Sequence, residues 1–322
     1  MIIIVTGAAG FIGYHTSLTL LQQGHTVIGI DNLNAYYDIA LKKARLAQLT
    51  VFPEFTFYQQ DIADAPAMER IASKHKNVTH VVHLAAQAGV RYSIDHPFSY
   101  VHSNLTGHMV ILELCRHLPK LAHLVYASSS SVYGNHNTVP FSTDAVVNTP
   151  RSLYAATKQC NEVLTYSYSY LYQIPATGLR FFTVYGPWGR PDMAVYSFTK
   201  AIINQTPIAL FNHGKMKRDF TYIDDIVSGI IAALGHPPTV SPAHTVYNLG
   251  HHRPVELEAF VDTLERFIGK KAIREYHPMH AGDMIETCAD ITPAVQLLGF
   301  SPKTTLDQGL SNFVTWYKQY HL

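Results

Sequence analysis

Ile2-Ile3-Ile4-Val5-Thr6-Gly7-Ala8-Ala9-Gly10-Phe11-Ile12-Gly13 stands at the start of the sequence and decides the fold. A β-branched run passes directly into glycines at 7, 10 and 13, then into a helix-length segment ending near Gly24; this reads as strand, tight turn and helix. Backbone N–H groups at such a helix N-terminus can face a pyrophosphate, and the glycines let it approach without Cβ collisions. Glycines in turns are common, so the GxxGxxG pattern alone is weak. Its place between strand and helix, with Asp31 at the end of the next strand, predicts a dinucleotide site. The Asp31 carboxylate is expected to accept hydrogen bonds from the adenosine ribose hydroxyls and to repel a 2′-phosphate, which favours NAD over NADP. The competing reading of Asp31 is a strand-end cap.

Outward from this stretch, short apolar runs alternate with helical segments: Ile2 to Thr6, Thr26 to Asp31, Phe55 to Gln59, Thr79 to Ala85, His123 to Ser128 and Ala176 to Phe181 read as strands. Alternation of this kind implies a parallel sheet, and runs apolar on both faces require helices on both sides. The fold class is therefore α/β, a Rossmann-type doubly wound parallel sheet. After about residue 181 the chain turns to Gly/Pro-rich loops such as Tyr185-Gly186-Pro187-Trp188-Gly189-Arg190-Pro191, which marks a smaller mixed α/β lobe. The expected division is 1–180 and 181–322, with segments such as 220–250 able to pack back on the first lobe. Ile223, Ile226, Val227, Ile230, Ile231 and Leu234 form one apolar helix face, and Leu306, Leu310, Phe313, Val314 and Tyr317 form another; both read as core.

At 322 residues the chain has room for two packing units of roughly 150 residues each. Its 47% hydrophobic and 15% charged content excludes a disordered chain, and a net charge of +1 argues against nonspecific nucleic-acid binding. Apolar runs such as Ile226 to Leu234 fall short of the roughly 18 residues that span a bilayer. With no basic segment before Ile2 and glycines interrupting the apolar start, a cytoplasmic chain is expected. Cys115, Cys160 and Cys288 are odd in number and widely spaced, so they are expected to be reduced core thiols. Among the 19 histidines, His277 with His280 and His251 with His252 invite a metal reading, but no further ligand stands at metal-site spacing and no metal is expected.

The second constellation is Tyr154-Ala155-Ala156-Thr157-Lys158 at the start of an expected helix, with serines at 128 to 131 upstream. Positions four apart share a helix face, so Tyr154 and Lys158 can enter one cleft. A free phenol titrates near 10, too high for a base at neutral pH, but a nearby ammonium and a nicotinamide cation would favour phenolate. Taken alone, YxxxK is more often a solvated face; behind a dinucleotide turn it becomes a candidate acid–base pair.

Together these motifs resemble the extended short-chain dehydrogenase/reductases, the superfamily of sugar-nucleotide epimerases and dehydratases, over nearly the whole chain. Asp31-Asn32-Leu33-Asn34, His83-Leu84-Ala85-Ala86-Gln87-Ala88-Gly89-Val90-Arg91 and Arg180-Phe181-Phe182-Thr183-Val184-Tyr185-Gly186-Pro187-Trp188-Gly189-Arg190-Pro191-Asp192-Met193-Ala194 resemble the UDP-glucuronate 4-epimerases, the last being the most specific. The resemblance implies a cycle in which Tyr154 takes the proton of the sugar C4 hydroxyl while its hydride passes to tightly held NAD, and hydride returns to the other face of the turned keto sugar. It implies that Lys158 holds the nicotinamide ribose and that Ser129 bonds the C4 oxygen, with Ser128 beside it. The cofactor would be held by Gly7, Gly10, Phe11, Ile12, Gly13, Asp31, Asn32, Asp61, Ile62, Leu84, Ala85 and Ala86 together with Tyr154 and Lys158.

Departures from neighbouring families narrow the chemistry. Related 4,6-dehydratases place Asp-Glu where Ser130 and Ser131 stand, because removing water needs an extra acid and base, and related UDP-glucuronate decarboxylases tend to carry Glu at Ser131. An epimerase of uronic acids must also protect a β-keto acid from losing carbon dioxide, which a cation and hydroxyl gripping the carboxylate would do. Arg190 and Thr183 are the candidates, Thr183 standing where galactose-type epimerases commonly have Asn; Arg190 could instead be a plain loop arginine. Arg218 is the candidate for the diphosphate. Asp283 resembles an acid near the nucleotide, although His280 stands where an Arg is usual, and Arg91 could reach substrate or tie down a loop. The expected enzyme interconverts UDP-glucuronate and UDP-galacturonate as a homodimer, through helices beginning near Tyr100 and Tyr154. The alternatives are a UDP-glucose or UDP-N-acetylglucosamine 4-epimerase, a UDP-glucuronate decarboxylase, and a catalytically silent NAD-binding regulator.

Overall fold

The computed structural model describes residues 1–136, 138–279 and 284–322. Its centre is a seven-stranded parallel sheet built from β1 (Ile2–Thr6), β2 (Thr26–Asp31), β3 (Phe55–Gln59), β4 (His80–His83), β5 (His123–Ser129), β6 (Ala176–Phe181) and a last strand, His244–Leu249. In space the order runs His244–Leu249, β6, β5, β4, β1, β2, β3. The chain therefore builds outward from β1 to β3, then returns to β4 on the other side of β1. Loops leaving β1 and β4 diverge at this switch point and open a crevice at the carboxyl ends of the strands.

Alternate residues of the inner strands enter opposite layers, which is why β1, β2 and β4 read as apolar on both faces. Ile3, Val5, Val27 and Val82 pack into the larger core with Ile226 and Ile230, while Ile4, Ile28 and Val81 face Met68, Ile71, Ile111 and Leu112 on the other side. The Ile223–Leu234 helix buries the face read from its periodicity, with Ile231 only partly covered. In the Leu306–His321 helix, Leu310, Phe313, Val314 and Tyr317 are buried as expected and Leu306 is partly buried.

The strand expected over residues 79–85 ends at His83, because Thr6 Oγ1 captures the amides of Leu84 and Ala85 at 3.2 and 3.1 Å and bends the chain into the crevice. Residues 244–249, within the 220–250 segment able to pack back on the first part of the chain, do so as a strand that completes the central sheet, paired in parallel with β6. Outside this sheet the described strands form two-stranded pieces: Thr183–Tyr185 with Phe220–Tyr222, Pro207–Leu210 with Ile273–Tyr276, and Lys217–Arg218 with Val255–Glu256. One cysteine departs from expectation. Cys115 and Cys288 are buried, but Cys160 lies exposed on the outer face of the Leu153–Tyr172 helix. No described helix is long and apolar enough to cross a membrane, and the described residues contain no group of three or more candidate metal ligands.

Candidate active site

The glycine turn closes on backbone rather than on side chains. Gly7 has φ +72°, and a Cβ there would stand 2.9 Å from the Ala85 nitrogen; a Cβ on Gly13 would lie 2.0 Å from the Gly7 oxygen. The turn is pinned by Gly7 N donating to Ile30 O at 2.7 Å. Asp31 accepts the Ala9 amide on one carboxylate oxygen (3.2 Å) and the Leu33 amide on the other (2.8 Å). It thus caps the turn, and each oxygen keeps lone-pair capacity for a ribose hydroxyl. Burial would raise the Asp61 carboxyl, but the Ala63 amide, Asn32 and His102 hold it below the usual carboxylate range.

These groups line one end of a cleft of about 880 Å³, together with Gly10, Phe11, Ile12, Asn32, Ile62, Leu84, Ala85 and Ala86. The cleft continues past Ser128, Ser129, Tyr154 and Lys158 to Thr183, Arg190, Arg91 and Arg218. A glycine cradle at a helix N-terminus, an acid with free lone pairs and an elongated cavity suit a dinucleotide end to end.

Ser152 caps the Leu153–Tyr172 helix by accepting the Ala155 amide at 3.1 Å, which sets Tyr154 and Lys158 on consecutive turns over the end of β5. Lys158 Nζ donates to Ala127 O at 2.8 Å. Burial brings its ammonium down to about 8, with Glu162 pulling the other way. Burial likewise pushes the Tyr154 phenol above its ordinary value, while a hydrogen bond with Ser129 and the charge of Arg190 act to lower it. The Tyr154 ring meets Tyr100 edge-on at 6.1 Å. The electrostatic pull on the phenol therefore differs from the sequence reading: Lys158 is turned to a strand carbonyl, and Arg190 supplies the charge.

The serine run also sorts itself. Ser129 faces Tyr154 and accepts the Ser131 amide at 3.2 Å. Ser128 donates to Glu162 Oε1 at 2.5 Å, so its proton is committed behind the cleft. Arg180 pairs with the same carboxylate through Nε at 2.9 Å and Nη2 at 2.8 Å.

Across the cleft, Thr183 begins the Thr183–Tyr185 strand and donates its amide to Asp219 O at 3.1 Å. Arg190 is ion-paired through Nε and Nη2 with Asp192, whose carboxylate also accepts the Tyr36 hydroxyl at 3.1 Å. Arg91 lies over the Phe211 ring at 4.1 Å, and Arg218 donates to Lys217 O at 2.9 Å and Ile285 O at 3.2 Å. Asp283 and His280 lie outside the described residues. Four lining or supporting groups escaped the sequence reading: Tyr36, Asp192, Lys42 and Glu162. Asp192 stands two residues from Arg190, and Glu162 is one turn beyond Lys158, the spacing that had already joined Tyr154 to Lys158.

The profile of the NAD dependent epimerase/dehydratase family matches residues 3–250. UDP-glucuronate 4-epimerase 4 of Arabidopsis thaliana is 47% identical over 332 residues, covering 99% of this chain and 76% of the relative. A probable UDP-glucuronate 4-epimerase of Rhizobium meliloti is 42% identical, covering 98% and 96%. The crystal structure of UDP-glucuronic acid 4-epimerase from Bacillus cereus in complex with UDP-glucuronic acid and NAD superposes with a TM-score of 0.92 at 35% identity, over 100% of both chains. With its glycine turn, its Tyr154–Ser129 contact and these relatives, the chain belongs to the NAD dependent epimerase/dehydratase family.

Proposed function

We propose that this chain is a UDP-glucuronate 4-epimerase, interconverting UDP-glucuronate and UDP-galacturonate. The observation that carries the reading is the meeting of Tyr154 with both Ser129 and Arg190 in one cleft. In a uronic acid the carboxylate is borne by C5, next to the reacting C4, so a base for the C4 hydroxyl and a cation for the carboxylate must be neighbours.

The glycine turn and Asp31 would hold NAD, which when bound would supply the hydride acceptor and later the donor for C4. Tyr154 Oη takes the C4 hydroxyl proton and gives it back, with Ser129 oriented to the same oxygen. Lys158, whose Nζ is held by Ala127 O, would supply the ammonium that holds the nicotinamide ribose. While C4 is a ketone, losing carbon dioxide would leave an electron pair on C5. A carboxylate held by Thr183 and by the Nη1 edge of Arg190, whose other nitrogens hold Asp192, keeps its negative charge where that loss would remove it. Arg218 and Arg91 serve the diphosphate and the far end of the substrate.

In this reading residues 1–180 form the NAD-binding lobe and 181–322 mainly the UDP-sugar lobe, with Ile223–Leu234 and His244–Leu249 packed back on the first. Exposed Val101, Met109, Val163, Tyr166 and Tyr170 on the helical segments near Tyr100 and after Tyr154 support a homodimer built on those faces, which sedimentation of the purified chain reads directly; a monomer overturns it. The exposed thiol of Cys160 fits a reducing compartment, and the cytoplasm is the setting proposed.

Purified protein given UDP-glucuronate or UDP-galacturonate without added cofactor is expected to yield the same mixture from either side; no interconversion overturns the reading. Arg190→Ala is expected to lose about 10- to 100-fold in kcat/KM, the worth of a charged hydrogen bond, and to leak UDP-pentose. Unchanged turnover of UDP-glucuronate would remove Arg190 from the site. The Lys158 ammonium persists below its value of about 8 and is lost above it, so kcat is expected to hold on the acid side and fall as pH rises beyond about 8. A flat profile to pH 10 would deny that role.

A further inference from the structure

Arg45 sits on the Ile39–Leu49 helix, outside the chemistry described so far, and is fully buried. A guanidinium carries five N–H donors, and the contacts of Arg45 can occupy all five. Nε donates to Trp188 O at 3.1 Å; Nη2 donates to Trp188 O at 2.6 Å and to Gly189 O at 3.3 Å. Nη1 donates to Ala9 O at 3.0 Å and to the Tyr37 hydroxyl at 2.7 Å. None of these acceptors is a carboxylate. A buried cation without a counter-ion is costly unless directed bonds hold it, and these carbonyls come from two separate turns. Ala9 belongs to the glycine turn after β1; Trp188 and Gly189 immediately precede Arg190.

A second observation concerns the same turn. Trp188 has φ +61°, a conformation strained for a bulky residue and kept only where the surroundings enforce it. Its ring lies against Tyr14, Trp316 and Tyr320, and Pro187 O meets His15 Nε2 at 2.9 Å.

We infer that Arg45 is a positioning residue that clamps the Trp188–Gly189 turn onto the nucleotide turn and so sets Arg190 beside Tyr154. The consequence for the carboxylate rests on the reading of Arg190 given above. Lysine at this position keeps the charge but cannot bridge two turns with a planar fork.

The chain has two tryptophans, so on a Trp316→Phe background the emission of Trp188 reports the turn directly. Arg45→Lys and Arg45→Met are expected to shift that emission to the red. They are also expected to raise the KM for UDP-glucuronate more than they lower kcat, with kcat/KM down by about 10- to 100-fold, the scale of a small misplacement. Each should release more UDP-pentose than wild type while retaining its NAD, with Lys intermediate; if the Met variant fails to fold, the Lys variant carries the test. Unchanged Trp188 emission in a folded variant overturns the clamp whatever Arg190 does. Shifted emission with wild-type KM and no pentose, in a protein whose Arg190→Ala form leaks, overturns the coupling. If Arg190→Ala itself does not leak, the carboxylate reading falls, and the emission still decides the clamp.

Discussion

Tyr154→Phe is expected to slow epimerisation by about 10²- to 10⁴-fold, the range spanned by loss of a positioned acid–base group, while the purified protein keeps its NAD. The substitution removes one oxygen and leaves the ring against Tyr100, so the cleft keeps its shape. What disappears is the atom that Ser129 bonds and that Arg190 acts upon. Without it, the C4 hydroxyl proton has no phenol oxygen to receive it. Chromatography of the sugar nucleotides gives kcat, and nucleotide released on denaturation gives NAD content. A rate within tenfold of wild type would take the base assignment away from Tyr154.

Glu162→Ala is expected to cost about 3 to 5 kcal/mol of stability, because it strands the Arg180 guanidinium in the interior without its partner. Arg180 is 4% exposed, so water cannot replace the lost carboxylate. Its Nη1 also donates to the Tyr133 hydroxyl at 3.0 Å, and that hydroxyl donates to Asn248 Oδ1 at 2.6 Å, joining the last strand of the sheet to the cleft. Denaturant unfolding should show a lower midpoint at unchanged slope. Glu162→Gln keeps the shape and removes the charge that supports the Lys158 ammonium, so the alkaline fall in kcat should move below its wild-type position. His83 and His108 also face Lys158, and burial holds both well below the usual imidazole value, so neither masks the shift. A midpoint equal to wild type in the Ala variant would show the pair to be dispensable.

Much of this molecule could be read before its structure. β1, β2, β3 and β6 fall at the residues expected: β1, β2 and β6 are buried on both faces and carry apolar runs, while β3, the half-exposed edge strand, shows in the aromatic Phe55, Phe57 and Tyr58. The last strand hid because His244-Thr245 begins it and its neighbour β6 lies about sixty residues upstream; only the completed sheet reveals the pairing. At the site, positions within one helix or one motif were legible: Tyr154 with Lys158, and the glycine turn with Asp31. Ser129 comes from the resemblance alone; the physical reason that sets it apart from Ser128, whose proton goes to Glu162, lies 34 residues along the chain. Arg190 was visible as a cation, but its approach to Tyr154 joins residues 36 positions apart, and the buried fork of Arg45 spans 143. The exposure of Cys160 depends on which side of its helix meets the sheet, and a mean apolar composition does not tell that.

Three successive residues of β5 grip three successive turns of one helix: Ala127 takes Lys158, Ser128 takes Glu162 and Ser129 takes Tyr154. The arrangement works as a vernier, in which the phase of the helix is read against the strand at three marks. The segment between β5 and the helix is itself anchored, with buried Phe141 donating its amide to Cys288 O at 2.8 Å and accepting from Asn248 Nδ2 at 2.7 Å. One residue gained or lost between 154 and 162 would rotate the remaining marks by about 100° and erase their alignment.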